Sequence, residues 1–441
     1  MTSNKLSLFP LTTTVNQQTH IAINGHDTVD LAQQLGTPLY IYDVETIHHQ
    51  IATYQKALAG YAGSHQLTYA SKAFLCTAMV QLMAGAGVGL DVASAGEIFI
   101  AQHGGADPAA IHLHGNNKTS FDLSEALQAG VGRIVVDNAA EFERLAAMAA
   151  ERNQPVNIWL RITPDVAVET VHAYTVTGTA DSKFGFPLDQ AEALAQQLLT
   201  DKNPWITLKG LHLHLGSHFH DAEPVSHALD RLLDLAAKLR DDAGWTLSEL
   251  CAGGGWGVRY YPDDPPMPIK PFVTGIVTAI EQGCRTRNLP LPQLFLEPGR
   301  SLVAQAGVAL YSVGGRKVIP DVRTYVSVDG GLADNPRPAL YQAQYTALLA
   351  NRANEPEMET VAVAGPFCES GDILIRAVDL PLANPGDIMA VPVAGAYQLS
   401  MSSNYNAALK PAVIFIDGSE VKLVQRRETF EDLVRRDAAS L

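Results

Sequence analysis

The sequence is poor in cysteine and in basic residues, and it has no long apolar run. Cys76, Cys251, Cys284 and Cys368 are the only four cysteines in 441 residues. They form no Cys-x-x-Cys pair and no dense framework, which excludes a zinc ribbon and a small disulfide-stapled fold. Lys and Arg number 31 against 46 Asp and Glu, a formal charge of −15. That balance disfavours nucleic acid as a partner, because phosphate neutralisation needs a basic surface. No stretch approaches the roughly 18 consecutive apolar residues of a membrane span, so no membrane partner is expected. Met1–Thr14 carries one Lys and no apolar run, unlike a secretory leader. A reducing cytoplasm is the expected location.

Apolar residues make up 47% and charged residues 17%, the composition of a chain with a full core. The middle of the chain repeats a β-rich run, a polar punctuation and a helical pattern. After Arg133–Asp137, Asn138 can cap a helix whose Phe142, Leu145, Ala146 and Ala149 share one face. Leu229, Leu232, Leu233 and Ala236 repeat that spacing. Eight candidate strand ends fall at Tyr69–Lys72, Leu90–Ser94, Ile111–Asn116, Ile134–Asn138, Trp159–Pro164, Leu211–Ser217, Leu250–Gly255 and Leu294–Gly299. Alternating strands and helices in this number suit a closed (β/α)8 barrel, with an open doubly wound sheet as the alternative. Lys72, Asp91, Asn116, Arg161, His214 and Glu297 then stand at the C-terminal rim, where such barrels place chemistry. After Arg300 the runs are short, rich in Val, Ile and Tyr, and separated by Gly and Pro, as in an all-β domain. The expected division is residues 1–43 as a segment joining the β-domain, 44–304 as the barrel and 305–441 as the β-domain. Tyr261–Pro268 and Asn351–Glu357 read as surface loops or lids.

Several residues can carry chemistry, each with a plainer reading beside it. Lys72 ends an apolar run, where a buried amine is either a Schiff-base nucleophile or one half of an ion pair with Asp91. Gly253-Gly254-Gly255, Gly216-Ser217 and Gly299-Arg300-Ser301 can cradle a phosphate with backbone N–H groups, or merely permit tight turns. Glu297 and Arg300 share one strand end. Glu297 suits a pyridine nitrogen, or the two form a salt bridge. His112-Leu113-His114 and His212-Leu213-His214 each put two imidazoles on one face of a strand. They suit a hydrolytic metal, a ring to stack on, or a packed core. Cys368-Glu369 in a Gly-bounded turn pairs a proton donor with a carboxylate, or is a turn with a buried thiol.

In number and order these runs resemble the fold-type III pyridoxal-phosphate decarboxylases, and among them those acting on meso-diaminopimelate, from about Pro38 to Leu433. The resemblance rests on the Lys72 run, Gly115–Lys118, Ser182–Gly185, His214–Ser217, Gly253–Gly255, Glu297–Ser301, Cys368–Asp372 and Ser402–Asn406. It implies a barrel of the alanine racemase type that binds pyridoxal 5′-phosphate, with a C-terminal β-sandwich or β-barrel domain and no metal. Lys72 would hold the cofactor, Glu297 its pyridine nitrogen, and His214 would stack on its ring. Ser217, Gly254, Gly255, Gly299, Arg300 and Tyr397 would surround the phosphate, with Asp91, Glu97, Arg161 and Lys183 in support. Arg300, Arg337, Tyr341 and Tyr397 would bind substrate, chiefly its far carboxylate, and Glu369 its far ammonium. Cys368 would return the proton. Cys368 and Glu369 would reach the partner's site, so a homodimer is implied. The implied reaction converts meso-diaminopimelate to L-lysine and CO2. The alternative is another basic amino acid or a carboxylated polyamine precursor as substrate. Ala407–Pro411 departs from the family's Arg-Pro-Arg-like run, His218 from its Gln, and Ser71 from its Val.

Overall fold

The computed structural model describes residues 5–166 and 181–438. The chain forms two compact units, Ile51–Gly257 with Met267–Gly299, and Met1–Gln50 with Val258–Pro266 and Arg300–Leu441.

The first unit is a closed barrel of parallel strands. They are β1 (His65–Ala70), β2 (Gly89–Val92), β3 (Ile111–Leu113), β4 (Arg133–Val136), β5 (Val156–Ile162), β6 (Ile206–Leu213), β7 (Glu249–Cys251) and β8 (Gln293–Leu296). Each pairs with the next in the chain, and β8 pairs with β1 to close the ring. All eight alternating runs of the sequence supply a strand. Asp91 and Arg161 lie within strands, whereas Lys72, Asn116, His214 and Glu297 stand in the turns that follow.

Local chemistry sets the helices between them. The side chain of Asn138 accepts from the Glu141 N–H at 3.0 Å and starts helix Ala139–Arg152. Asn153, at φ 52°, stops it in the left-handed region. Helix Glu223–Ala243 buries Val225, Leu229, Leu232, Leu233, Ala236 and Leu239 along one stripe and ends at Gly244, φ 68°. Each fully buried leucine contributes about 1.5–3 kcal/mol to that packing.

The barrel interior is unusually polar. At the N-terminal end, Arg133 grips Glu249 with Nε and Nη2 at 2.9 and 2.7 Å. Trp159 Nε1 donates to the same carboxylate at 2.7 Å. Val135, Trp159, Cys251 and Phe295 form a small apolar layer. Beyond it stand buried His112, His114 and His212, where many such barrels place branched aliphatic side chains.

The second unit is built on a nine-stranded mixed sheet. Its main path runs Ile373–Leu380, Glu359–Ala364, Arg323–Val328, Gly307–Ile319, Leu39–Asp43, Ala412–Asp417 and Glu420–Gln425. The 13-residue strand Gly307–Ile319 shifts register between Val313 and Gly315, which lets one strand serve both halves of the sheet. Leu39, Ile41, Val308, Leu310, Ala390 and Ile414 lie in its core. Ile21–Ile23 pairs instead with Thr13–Val15 and His26–Asp27 in a separate three-stranded sheet. No described helix is long and apolar enough to cross a membrane.

Candidate active site

The C-terminal rim of the barrel gathers most of the residues singled out in the sequence. Lys72 sits on the single helical turn Ser71–Ala73, directly after β1. Its side chain is exposed, so the argument from a buried amine does not hold. What fixes it is the turn. Tyr69 Oη accepts from the Phe74 N–H at 3.1 Å and donates to the Phe74 carbonyl at 2.7 Å. Asp91 Oδ1 lies 3.6 Å from His114 Nε2.

Glu297, one residue past β8, is the focus of the barrel interior. Its Oε2 lies 3.0 Å from His212 Nε2, and its Oε1 lies 3.0 Å from His114 Nε2 and 3.9 Å from His112 Nδ1. Burial pushes the Glu297 carboxyl up, but His114 and His212 outweigh it and hold it well below the usual carboxylate range. Burial drives His212 down to about 4, so it is a neutral imidazole near pH 7. His112, His114 and His212 therefore converge on one carboxylate, whereas His214 turns to the Gly254 N–H. These side chains form two sets with metal-ligand spacing, His112–His114–Glu297 and His212–Cys251–Glu297.

His214 follows β6, half-buried, and its Nδ1 accepts from the Gly254 N–H at 3.4 Å. Burial, with the Lys72 and Arg161 cations nearby, holds it well below the usual histidine range. The glycines of the neighbouring turns are sterically required. A Cβ on Gly254 would lie 2.0 Å from the Glu297 carbonyl oxygen, and one on Gly255 2.2 Å from that of Gly216. Gly299 approaches β1, where its Cβ would lie 3.0 Å from that of Ala70. Ser217 is half-buried beside this bare backbone.

Supporting residues surround the rim. Arg161 lies 3.9 Å from Asp137 and stacks 4.3 Å from the Phe184 ring. Lys183 is exposed, 5.0 Å from the same ring. Glu97 accepts from the Ala93 N–H at 2.6 Å, and burial raises its carboxyl above the usual range. Lys118 is structural: its buried Nζ donates to Gly115 O, Val135 O and Glu141 Oε1 at 2.6–2.8 Å.

The second unit holds two further groups. In one, Arg300 and Arg337 converge on a phenol that sequence reasoning missed. Their Nη1 atoms donate to Tyr260 Oη at 2.7 and 2.8 Å. Arg337 also donates to Tyr345 Oη, and Arg300 lies 4.8 Å from the Tyr397 ring. Burial pushes the Tyr260 phenol up, but the two guanidiniums outweigh it and lower its pKa. Tyr341, half-buried, ends the short helix that Arg337 begins. Tyr260 opens the Pro-rich loop, whose backbone is pinned by Asp264. That carboxylate accepts from the Tyr260 and Tyr261 N–H groups at 2.7 and 2.8 Å. The place of Tyr260, five residues beyond Gly253-Gly254-Gly255, was the available signal.

In the other group, Cys368 and Glu369 are exposed, so the reading of a buried thiol is corrected. Their turn is organised by buried Asp372, which accepts from the Leu332 and Phe367 N–H groups at 2.7 and 2.8 Å. A Cβ on Gly365 would lie 2.2 Å from that carboxylate. Tyr405 Oη donates to Glu369 at 2.7 Å, and Asn406 accepts from the Cys368 N–H at 3.0 Å.

On the barrel, then, an exposed amine, an ionised carboxylate, a low-pKa imidazole and a bare glycine rim stand together. They fit a phosphorylated pyridine aldehyde, which needs an amine, a partner for its ring nitrogen, a flat neighbour and a phosphate cradle. Residues 44–304 match the pyridoxal-binding domain of the pyridoxal-dependent decarboxylases. The chain belongs to that family, and its cofactor is pyridoxal 5′-phosphate. The chain is 44% identical to diaminopimelate decarboxylase of Halalkalibacterium halodurans over 429 residues, 97% of each chain. It is 43% identical to that of Bacillus subtilis over 424 residues, 96% of each. The crystal structure of diaminopimelate decarboxylase from M. jannaschii in complex with L-lysine superposes with a TM-score of 0.90 at 31% identity, covering 98% of each chain. Within the pyridoxal-dependent decarboxylases, the chain belongs with the diaminopimelate decarboxylases.

Proposed function

We propose that this chain removes one carboxyl group of meso-2,6-diaminopimelate, releasing CO2 and L-lysine as the last step of lysine biosynthesis. The observation that carries this reading is the pair of buried guanidiniums, Arg300 and Arg337, aimed at one point. Guanidinium forks suit a carboxylate, and a far carboxylate distinguishes diaminopimelate from ornithine or arginine. Pyridoxal 5′-phosphate, when bound, supplies an electron sink for the pair left by the departing carboxyl group.

Lys72 would hold the cofactor through its amine and yield that place to the substrate amine. Glu297, kept ionised, would hold the proton on the ring nitrogen. His214 would lie against the ring. Ser217, Gly254, Gly255 and Gly299 would take the phosphate, and Arg300, next in the chain, and Tyr397 complete the cofactor assignment. Asp91, Glu97, Arg161 and Lys183 would support the rim. Arg300, Arg337, Tyr341 and Tyr397 would bind substrate, with Glu369 taking the far ammonium. Cys368 would deliver a proton to the carbon that lost its carboxyl group. The proposed catalytic unit is a homodimer in which each chain lends Cys368 and Glu369 to its partner's site. The support is that both side chains are open to solvent on an ordered turn. The proposed location is the cytoplasm, with no nucleic-acid or membrane partner. Residues 44–304 as the cofactor-binding domain, and 1–43 with 305–441 as the β-domain, remain the proposed division.

The direct test is lysine formation from meso-diaminopimelate by the cofactor-loaded protein, with ornithine and arginine in parallel. Lysine should form, and the other two should turn over at least about 10²-fold less efficiently, because they lack the far carboxylate that the two guanidiniums would hold. Equal turnover would move the assignment to a broader basic amino-acid decarboxylase. A second expectation concerns the phenol between the arginines. Tyr260→Phe removes an acceptor from two charged donors, a contact worth roughly 1.5–3 kcal/mol. KM for diaminopimelate should rise about tenfold or more with a smaller change in kcat. An unchanged KM would mean that Tyr260 does not set the guanidiniums.

A further inference from the structure

A barrel core filled with imidazoles needs a reason, because such cores usually hold aliphatic layers. Three buried histidines, His112 on β3, His114 directly after it and His212 on β6, approach the one carboxylate just past β8. His212 Nε2 lies 3.0 Å from Glu297 Oε2, His114 Nε2 3.0 Å from Oε1, and His112 Nδ1 3.9 Å from Oε1. The hydrogen-bond pattern fixes the His212 tautomer. Its Nδ1 is buried and has no hydrogen-bond partner among the described residues, so that nitrogen carries the lone pair. The proton then sits on Nε2, where it donates to Glu297. Trp159 lies nearly parallel to the His212 ring, 9° between planes at 6.4 Å, and fixes its orientation. His112 stands edge-on to Trp159 and Phe295, at 4.5 and 5.3 Å. The aromatic floor of the barrel thus supports the imidazoles, and the imidazoles support the carboxylate.

We propose that His212 is a positioning residue that acts through Glu297, by its hydrogen bond to the Oε2 of that carboxylate. The N–H of His212 fixes one carboxylate oxygen and keeps Glu297 ionised, so that it can hold a proton on the cofactor's ring nitrogen. A neutral donor does this without adding a permanent cation that would compete for the carboxylate. The inference rests on the reading of Glu297 as the ring-nitrogen partner and adds the group that makes that reading work.

The test reads the cofactor directly. Pyridoxal 5′-phosphate labelled with 15N in the ring is bound to the full-length protein without substrate, and its nitrogen shift is recorded near pH 7. Four proteins are compared: the unaltered chain, Glu297→Gln, His212→Gln and His212→Asn. The Gln amide reaches the position of Nε2, whereas the Asn amide reaches only that of Nδ1, so both keep a polar side chain but only one keeps the donor. The unaltered chain and His212→Gln should show a protonated ring nitrogen. His212→Asn should move the signal toward the unprotonated position and weaken cofactor binding about tenfold or more. Glu297→Gln should move the signal fully. If Glu297→Gln moves the signal and His212→Asn does not, the positioning role is overturned while the Glu297 reading stands. Equal displacement in both His212 variants overturns the donor role in favour of packing. An unmoved signal in Glu297→Gln overturns the reading of Glu297 itself, and the inference with it.

Discussion

Lys72→Ala should leave the cofactor-treated protein without the visible absorbance of a lysine-bound pyridoxal group and reduce lysine formation on the order of 10³-fold or more. The expectation follows from placement. Lys72 stands on one helical turn after β1, and the Tyr69–Phe74 pair of hydrogen bonds fixes both ends of that turn. The close approach of Gly299 to Ala70 and Ala73 confines the same backbone. Substitution removes an exposed side chain, so no core packing is lost and the fold should survive. That separates loss of chemistry from loss of structure, and far-ultraviolet circular dichroism with an unchanged melting transition would document it. A visible absorbance equal to that of the unaltered protein would remove Lys72 from its role. The next candidate would be a lysine elsewhere on the rim, with exposed Lys183 the first to substitute.

The barrel was legible because its strands announce themselves twice. Each β-rich run is followed by polar punctuation at the rim and then by a helical pattern, and at Val136 the punctuation is Asn138, the cap of the helix to Arg152. The sheet of the second unit was less legible. Glu420–Gln425 is a largely exposed strand with little alternation, and the tight turn at Gly418, φ 57°, is what pairs it with Ala412–Asp417. Ile21–Ile23 has the composition of a core strand and is fully buried, yet its partners are the short strands beside it. The site divides in the same way. His-x-His alternation showed that each pair shares a face. Only closure of the barrel carries β3, β6 and β8 inward to one carboxylate, and closure is a property of the ring rather than of any run. Lys72 was rightly placed at the end of a run, but its exposure depends on the helical turn that breaks the strand at Ala70. Tyr260 was hidden because its loop has the Pro and Asp content of a surface connection. The same Asp264 that makes the loop look polar is what pins it and delivers the phenol to Arg300 and Arg337.

Cys368→Ala should retain the visible absorbance of the loaded protein while slowing turnover by about 10²–10⁴-fold, the range for loss of a positioned proton donor. Retained absorbance follows because Cys368 belongs to the turn held by Asp372 and Asn406, not to the barrel rim that carries Lys72. The proposed sharing of Cys368 between chains can be separated from a role within one chain by mixing two inactive variants. Lys72→Ala and Cys368→Ala chains, co-expressed in equal amounts and assayed as the whole unfractionated mixture, each lack one group. If Cys368 serves the partner's site, every hybrid dimer has one site with both groups intact and one with neither. Random pairing of equal amounts then restores about a quarter of the unaltered activity, since half of the dimers are hybrids with one working site of two. If Cys368 serves its own chain's site, every site carries one defect and mixing restores nothing. Recovery near a quarter supports the shared site, and activity no higher than that of the separate variants assigns Cys368 to its own chain. The exposed Glu369 gives a parallel pairing, because it is the next residue on the turn of Cys368, its carboxylate held by Tyr405, and should cross between chains with Cys368. Glu369→Gln mixed with Lys72→Ala should therefore recover activity alongside the cysteine variant, and a split outcome would divide the turn between two sites.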